Sequence, residues 1–442
     1  MPPEPPKPPQ ETGLVIRPGA DLVPLPIGGS PALSEIINRS ILHIRTSSAL
    51  VKNRWIGNHE LCDPDYRLVC TWAEELRLTP DDVLKLLLRQ PDLQGVEPTT
   101  IVEGRFMRLY VDGKVLPVSC LPPITDLVIE TLRMPRGEFI NLDVSRLQNL
   151  KVLLCPSKQM TELNLSGVPN LTALYCGSSQ LTELDLSEVP NLTTLRCFRS
   201  QLTELDLSEV PNLQELLCFG NQLTDLDLSN VPNLKKLWCG WNQLTELALS
   251  EVSNLKELLY PGNQVNELNM SEIPNLKKLD CSKNQLTELD LSEVPNLTRL
   301  DCALNELTEL NLSEIPKLKK LDCSGNQLTE LDLAEVPNLK ELKCPGNQLT
   351  ELDLNKVANL KVLFCGSNQL TELDLSEVPN LEEFDCDTND LTELDLSKIP
   401  NLKKLSCREN RLTELDTSNL MNLESLNCDP AVRLIQRPDQ NF

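Results

Sequence analysis

Two short stretches of alternating apolar and polar residues repeat through most of the chain. The unit "LKKLDCSKNQLTELDLSEVPN", which starts at Leu276, returns every 21 residues from Ile129 to Cys428 without insertion or deletion. Alternation with a period of two predicts extended strands, and the intervening segments "SKNQ" and "SEVPN" carry turn-forming residues. The frame therefore predicts fifteen strand positions, one in each repeat.

The apolar rows of this pattern predict a stacked, elongated fold. A 21-residue unit is too short to bury its own apolar face, but stacked units bury the leucines of their neighbours continuously. We therefore predict a mainly β solenoid with parallel strands on both sides. Fifteen such units would form a rod roughly 70 Å long at the usual spacing of neighbouring strands.

The cysteines follow the same lattice. Thirteen of the 16 cysteines are spaced by multiples of 21 residues from Cys155 to Cys428, and Tyr260 fills the single gap. A disulfide framework is typical of short secreted chains with irregular cysteine spacing, whereas a regular row is typical of thiols buried as small apolar residues. Unpaired thiols indicate a reducing, cytoplasmic compartment.

The segment LxxLxCxxNxL resembles the leucine-rich repeat family, and the 21-residue period with a second strand-like half resembles its short bacterial subclass, called IRREKO. One repeat carries the motif at Leu276, Leu279, Cys281, Asn284 and Leu286. The resemblance implies an interaction scaffold in which the asparagine bonds to the backbone of the turn. The first repeats depart from the motif because their asparagine slot holds Gly137, Lys158, Ser179 and Ser200. Their turns are therefore expected to be bonded differently.

The remainder of the chain divides by composition. Residues 1–30 are rich in proline and glycine and predict a disordered arm. Residues 31–123 predict an α+β cap or docking domain, with helices at "DPDYRLVCTWAEELR" and "TPDDVLKLLLRQ" and a hairpin around Asp112-Gly113. The solenoid then covers residues 124–428, and residues 429–442 form a C-terminal capping tail.

Charge limits the classes of partner. A net charge of -24 and a pI near 4.6 argue against nucleic acid and anionic membranes, which bind through Lys and Arg. The first residues, "MPPEPPKPPQ", resemble neither a signal peptide nor a membrane span. Delivery into a host or target cell by a non-classical secretion system is the alternative to a cytoplasmic location.

The outward positions of the strand beginning "LKKLDC" are the place where a partner could be encoded. The leucine, cysteine and asparagine rows are nearly identical in every repeat, whereas the slots that hold Asp280 and Ser282 vary. In leucine-rich repeats this face is concave. Although only 3% of residues are aromatic, consecutive repeats place aromatic and arginine residues here. The resulting aromatic patch consists of Tyr175, Arg196, Phe198, Arg199, Leu217, Phe219, Trp238 and Trp241.

Aromatic and arginine residues among polar positions are typical of interface hot spots, so we predict that the aromatic patch binds a protein or peptide. Lys343 and Phe364 form a weaker, secondary candidate site. The alternative is that the patch packs against the chain's own N-terminal domain or a terminal loop.

The opposite side is uniformly acidic. The Glu slot of "LTELDLS" is Glu or Asp in every repeat from Glu162 to Glu414, and lysines such as Lys235 and Lys256 are expected to offset part of this charge. A soluble flank that prevents aggregation is the favoured interpretation. Calcium binding is the weaker alternative, because no repeat supplies a closed cage of oxygen ligands.

The sequence lacks the motifs of common enzymes. Only His43 and His59 are present, and no GxSxG, HExxH, P-loop or paired CxxC motif occurs. We therefore predict a non-enzymatic interaction module with no cofactor, metal or catalytic residue. The alternatives are an effector-like enzyme or adaptor, whose N-terminal domain acts near His59 and Cys62 while the repeats select the substrate, and a structural array protein. Neither partner identity nor oligomeric state is indicated.

Overall fold

The computed structural model describes residues 54–56, 59–88, 99–102, 105–110, 128–135 and 139–438. The predicted N-terminal arm, the Asp112-Gly113 turn and the last four residues lie outside these ranges.

Within the described residues two helices precede the repeats, and both were predicted. Helix α1 spans Asp63–Leu76 and ends at Arg77, whose φ of 56° is left-handed. Helix α2 spans Pro80–Leu87, and the Thr79 hydroxyl caps it by accepting the backbone N–H of Asp82 at 3.2 Å. No helix within the described residues is both long and apolar enough to cross a membrane.

The described part of the same region also contains four strands. Strands β1 (Arg54–Ile56) and β2 (His59–Leu61) pair antiparallel, as do β3 (Thr100–Val102) and β4 (Arg105–Tyr110). Strand β4 then pairs in parallel with the first repeat strand. The described antiparallel partner of β4 is therefore β3, whereas the predicted hairpin turn after β4 is outside the described residues.

Fifteen parallel three-residue strands, as many as the frame predicts, form one in-register sheet with β4 at its first edge. They are β5 (Thr131–Arg133), β7 (Val152–Leu154), β9 (Ala173–Tyr175), β10 (Thr194–Arg196), β11 (Glu215–Leu217), β12 (Lys236–Trp238), β13 (Glu257–Leu259), β14 (Lys278–Asp280), β15 (Arg299–Asp301), β16 (Lys320–Asp322), β17 (Glu341–Lys343), β18 (Val362–Phe364), β19 (Glu383–Asp385), β20 (Lys404–Ser406) and β22 (Ser425–Asn427). The mainly β solenoid is confirmed.

The opposite side forms strands only at its two ends. There β6 (Asn141–Asp143) pairs with β8 (Glu162–Asn164), and β21 (Glu414–Asp416) pairs with β23 (Arg433–Ile435). Between these ends the acidic side is extended but is not strand, which differs from the expected second sheet. The physical reason is that few backbone hydrogen bonds join neighbouring repeats on this side. The main repeating one runs from the Gln222 N–H to the Leu202 carbonyl oxygen at 2.8 Å, with equivalents in other repeats.

The core consists of the leucine and cysteine rows, which are almost completely buried. None of the described cysteines forms a disulfide, and burial raises the pKa of the thiols in the repeat row, to about 12 for Cys176 and Cys239. Tyr260 is also fully buried, and its repeat holds Val265 and Met270 where other repeats have leucine. The cysteine row therefore consists of protonated thiols that fill the core.

A ladder of buried asparagine side chains joins each turn to the preceding one. Asn326 Nδ2 donates to the carbonyl oxygens of Cys302 and Cys323, both at 3.0 Å, and its Oδ1 accepts the N–H of Leu307 at 3.1 Å. The same amide pattern runs from Asn221 to Asn410. Earlier, the Ser179 and Ser200 hydroxyls bond to each other at 2.8 Å, so these turns are bonded differently, as expected.

We predict that Asn326→Ala destabilises the solenoid far more than Asn338→Ala. The first change leaves buried N–H and C=O groups without partners and should lower the free energy of unfolding by about 2–4 kcal/mol. Asn338 is exposed and makes one bond, to Pro316 O at 3.1 Å, so its loss should matter little. Urea unfolding followed by circular dichroism compares the two, and equal midpoints would contradict a structural role for the buried amides.

Candidate partner-binding face

The parallel register brings four residues of the aromatic patch side by side. Tyr175 pairs with Arg196, Arg196 with Leu217, and Leu217 with Trp238 at the ends of β9 to β12. Every side chain in this row is held by a strand whose central leucine is buried, for example Leu195 and Leu216. The patch is therefore fixed on a rigid sheet.

Glu215 organises the charged side chains at the centre of the patch. Its Oε1 lies 2.7 Å from both Nε and Nη2 of Arg196, and its Oε2 lies 3.8 Å from Lys236 Nζ. The Arg196 guanidinium carbon also lies 4.9 Å from the centre of the Tyr175 ring. These contacts hold the Arg196 guanidinium against an aromatic ring on the neighbouring strand.

The two phenylalanines form a parallel stack. The Phe198 and Phe219 ring centres are 4.9 Å apart and the ring planes differ by 1°. Both side chains are half-buried, because each directly follows a buried cysteine. A Cβ at Gly177 would lie 2.6 Å from the carbonyl oxygen of Phe198, so glycine accommodates the backbone at the end of the stack.

Trp238 combines a half-buried ring with an unused hydrogen-bond donor. The Lys236 ammonium lies 4.0 Å from the centre of the Trp238 ring. The indole Nε1 is buried and has no hydrogen-bond partner. Trp238 does not point into the leucine core, which on this strand is filled by Leu237 and Cys239.

Trp241 lies in the turn after β12, two residues after Cys239, and its φ of 55° is left-handed. Its side chain is 53% exposed, so no described segment seals it. The indole covers Gly262 in the next repeat, where a Cβ would lie 2.8 Å from Trp241 Cε3. Two repeats on, the Lys283 ammonium lies 4.7 Å from the ring centre.

Two remaining predicted patch residues differ from each other in exposure. Arg199 is exposed, and its Cγ lies 3.2 Å from a Cβ built on Gly220. Leu217 is only 5% exposed, which corrects the expectation of an outward anchor. It lies in register between the larger Arg196 and Trp238, so its role is to fill the sheet surface between them.

The secondary candidate pair is brought together as well. Lys343 and Phe364 are in register on β17 and β18, and the ammonium lies 5.8 Å from the ring centre. Lys343 also lies 3.4 Å from Glu341 and 3.9 Å from Asp322. The Lys343 ammonium is thus already paired with carboxylates of the same sheet.

Aspartates occupy the same face between the two sites. Asp280, Asp301 and Asp322 are in register on three adjacent strands. Burial, and then the neighbouring Asp280 and Asp322 carboxylates, raise the pKa of Asp301 to about 6. Even so, no group of three or more His, Cys, Asp or Glu that could hold a metal occurs in the described part of the chain.

The sequence interpretation missed Glu215, Lys236 and Lys283. Glu215 and Lys236 lie two residues before the varied row and alternate in charge between neighbouring strands. Reading that slot across the repeats would have revealed the pairing, since cross-strand neighbours of opposite charge interact. The contact between Lys283 and Trp241 spans two repeats and has no such local signal.

The residues named for the enzyme alternative lie at the start of α1. His59 is exposed on β2, whereas Cys62 is buried at the N-cap and its side chain makes no capping hydrogen bond. Asp65 is buried and accepts the Phe106 N–H at 3.1 Å. Cys62 therefore packs against the fold, and Asp65 joins α1 to β4.

The fold and the varied strand face together define a solenoid repeat protein. The family model for leucine-rich repeats in two copies matches residues 211–252 and 316–356, and the single-repeat model matches residues 275–297. The functional domain of InlJ from Listeria monocytogenes, described as including a cysteine ladder, is 35% identical, with 69% of this chain and 70% of that chain covered and a TM-score of 0.65. The chain belongs to the leucine-rich repeat family.

More distant structures share the fold. A leucine-rich repeat protein from Leptospira interrogans is 24% identical over 67% of this chain and 83% of that chain, with a TM-score of 0.63. The internalin InlF from Listeria monocytogenes is 18% identical over 82% and 94% of the two chains, with a TM-score of 0.56. No curated protein sequence matches the chain significantly.

We predict that Gly262→Ala displaces Trp241. The new methyl group would meet the indole, so the tryptophan emission spectrum should change. Gly346→Ala is the matched control because Gly346 has a similar φ of 68°, but its Cβ would meet only Gly325 backbone atoms at 3.6 Å. The spectral change should disappear when Gly262→Ala is made in a Trp241→Phe background; if it persists, the displaced group is not Trp241.

Asp301→Asn should stabilise the protein at pH 7.5. The pKa of Asp301 in the folded protein, about 6, is above the ordinary value of 3.8, so stability falls as pH rises between these values. Removing the carboxylate should raise the melting temperature at pH 7.5, and the gain should vanish near pH 4. Asp290→Asn is the control: the backbone N–H of Ser292 lowers the Asp290 pKa, so this variant should gain nothing at pH 7.5.

Proposed function

We propose that this chain is a non-enzymatic interaction module whose aromatic patch binds another protein or an extended peptide. The observation that carries the proposal is the grouping of half-buried and exposed rings on four adjacent strands, with Trp241 53% exposed. Aromatic and arginine side chains in such an arrangement provide most of the binding free energy at many interfaces.

The contacts within the patch support a preformed site. Glu215 fixes Arg196, and the Phe198 and Phe219 rings already stack. A partner would therefore order few additional side chains, which reduces the entropic cost of association. The unpaired Trp238 Nε1 favours a partner that offers a hydrogen-bond acceptor at this position.

Two finer assignments accompany this function. The 21-residue spacing of all fifteen repeat strands supports the short bacterial subclass of leucine-rich repeats. The free cysteines support a reducing compartment, either the cytoplasm of the producing cell or that of a cell into which the protein is delivered. Among the described residues, no specific observation favours the alternative of an enzymatic N-terminal domain.

The double variant Trp238→Ala/Phe219→Ala tests the proposed function. Proteins captured from a lysate by the wild type and identified by mass spectrometry should be lost with this variant, because each ring can contribute about 2 kcal/mol or more to binding. The matched control is Ile140→Ala/Leu304→Ala, which removes exposed apolar side chains outside the aromatic patch and the secondary site, and it should retain the captured proteins.

Thermal melting separates binding from packing. Both double variants should melt within a few degrees of the wild type, since the altered side chains lie outside the leucine core. Retained capture by the Trp238→Ala/Phe219→Ala variant would overturn the proposal. A large fall in melting temperature for that variant alone would mean that the rings stabilise the fold and do not form a binding site.

A further inference from the structure

The acidic side of the solenoid contains a long groove. Its volume is about 2100 Å³, and it crosses eight repeats. We define the acidic groove by three parallel rows of residues. They are the glutamates from Glu267 to Glu414, the leucines from Leu268 to Leu394, and the aspartates and asparagines from Asn269 to Asp416. The leucine floor is slightly exposed, 7% for both Leu331 and Leu352.

Apart from Glu414, the glutamates of the acidic groove are not paired with cations of the described part of the chain. In the described structure, the groove glutamates from Glu267 to Glu393 take part in no ion pair. Lys235, which was expected to offset this charge, instead donates to Gln214 Oε1 at 2.8 Å. Like charges stacked on successive repeats repel one another, so the groove is unfavourably charged as it stands.

On the strand face, by contrast, glutamates are paired with lysines. Lys278 Nζ lies 2.7 Å from Glu257, and Lys404 Nζ lies 2.8 Å from Glu383. Both faces are built from the same repeat, yet only one has lysines in register with its glutamates. The absence of cations from the groove is therefore a property of that side, not of the whole acidic chain.

The C-terminal end of the groove shows how a cation can occupy the glutamate row. Arg433 on β23 is in register with Glu414 on β21, and Arg433 Nη1 lies 3.2 Å from Glu414 Oε2. The chain thus places a guanidinium at the position that a further glutamate would take. The spacing of the row accommodates an arginine beside each carboxylate.

Backbone hydrogen bonds favour the ionised form of some aspartates in the acidic groove. Asp374 and Asp395 each accept the backbone N–H of the serine two residues later at 2.8 Å. These bonds, followed by the serine side chains, lower the pKa of both aspartates. The carboxyl groups of Asp374 and Asp395 therefore stay negative in neutral and mildly acidic solution, and their orientation is fixed by the backbone.

We propose that the acidic groove binds an extended, Lys/Arg-rich polypeptide segment lying along the solenoid axis. Seven strand spacings separate the first and last of the eight repeats, roughly 34 Å, which matches about ten extended residues. The aliphatic stems of lysine and arginine would cover the leucine floor while their charged ends reach the two carboxylate rows. This surface is separate from the aromatic patch and does not depend on the proposed function.

The test measures binding of a fluorescein-labelled ten-residue oligoarginine to the full chain by fluorescence anisotropy at pH 7.5 and 0.15 M salt. The groove variant is Glu330→Gln/Glu351→Gln/Glu372→Gln. The matched control is Asp280→Asn/Asp301→Asn/Asp322→Asn on the strand face. Each variant removes three negative charges, so both change the net charge from -24 to -21, that is -24 + 3.

The groove variant should bind oligoarginine at least ten-fold more weakly than the wild type, and the strand-face control should bind within about two-fold. A labelled ten-residue oligoglutamate should not bind the wild type. Equal weakening by both triple variants would mean attraction by net charge alone and would overturn the groove. Unchanged affinity of the groove variant would overturn it as well.

Two further measurements distinguish peptide binding at the acidic groove from a loss of folding and from binding at the aromatic patch. The groove variant should melt at or above the wild-type temperature, since glutamine keeps the shape and removes repulsion. The Trp238→Ala/Phe219→Ala variant should keep its oligoarginine affinity within about two-fold. If that variant loses the peptide, the peptide binds at the aromatic patch and the groove proposal is wrong, whatever the result for the proposed function.

Discussion

The buried asparagine amides are the interaction on which the rest of the structure depends. Most of these amides bond to two cysteine carbonyls and one leucine N–H in consecutive repeats, as Asn326 does with Cys302, Cys323 and Leu307. This geometry satisfies backbone groups that would otherwise be buried without partners. It also fixes one repeat above the next with no shift in register. Equivalent side chains of successive repeats are therefore aligned in rows on the surface.

Because these rows are aligned, the solenoid has two surfaces with different physical properties. On the strand face, Glu215 lies between Arg196 and Lys236, so the aromatic rings stand among paired ions. On the other side, the same register stacks carboxylate above carboxylate from Glu267 onward. One face therefore offers apolar and aromatic contacts, whereas the other offers a field that attracts cations.

Much of the candidate site could be predicted because register follows from a strict period. Tyr175, Arg196 and Trp238 were placed side by side from spacing alone, and β9, β10 and β12 hold them there in the expected order. Exposure was harder to predict. Leu217 occupies the same slot as these residues and is buried, since exposure depends on the size of the neighbours in the adjacent strands. The Trp241–Lys283 contact could not be predicted, because it crosses an intervening glycine.

The sequence by itself determined the class of fold, the number of repeat strands, the buried thiol row and the position of the varied face, because each follows from a local period of two within a period of 21. Only the tertiary structure decided which charges are neutralised, which rings remain exposed, and that the acidic side forms strands at its ends alone. These properties depend on distances between side chains of different repeats, to fractions of an ångström, and a periodic pattern contains no such distances.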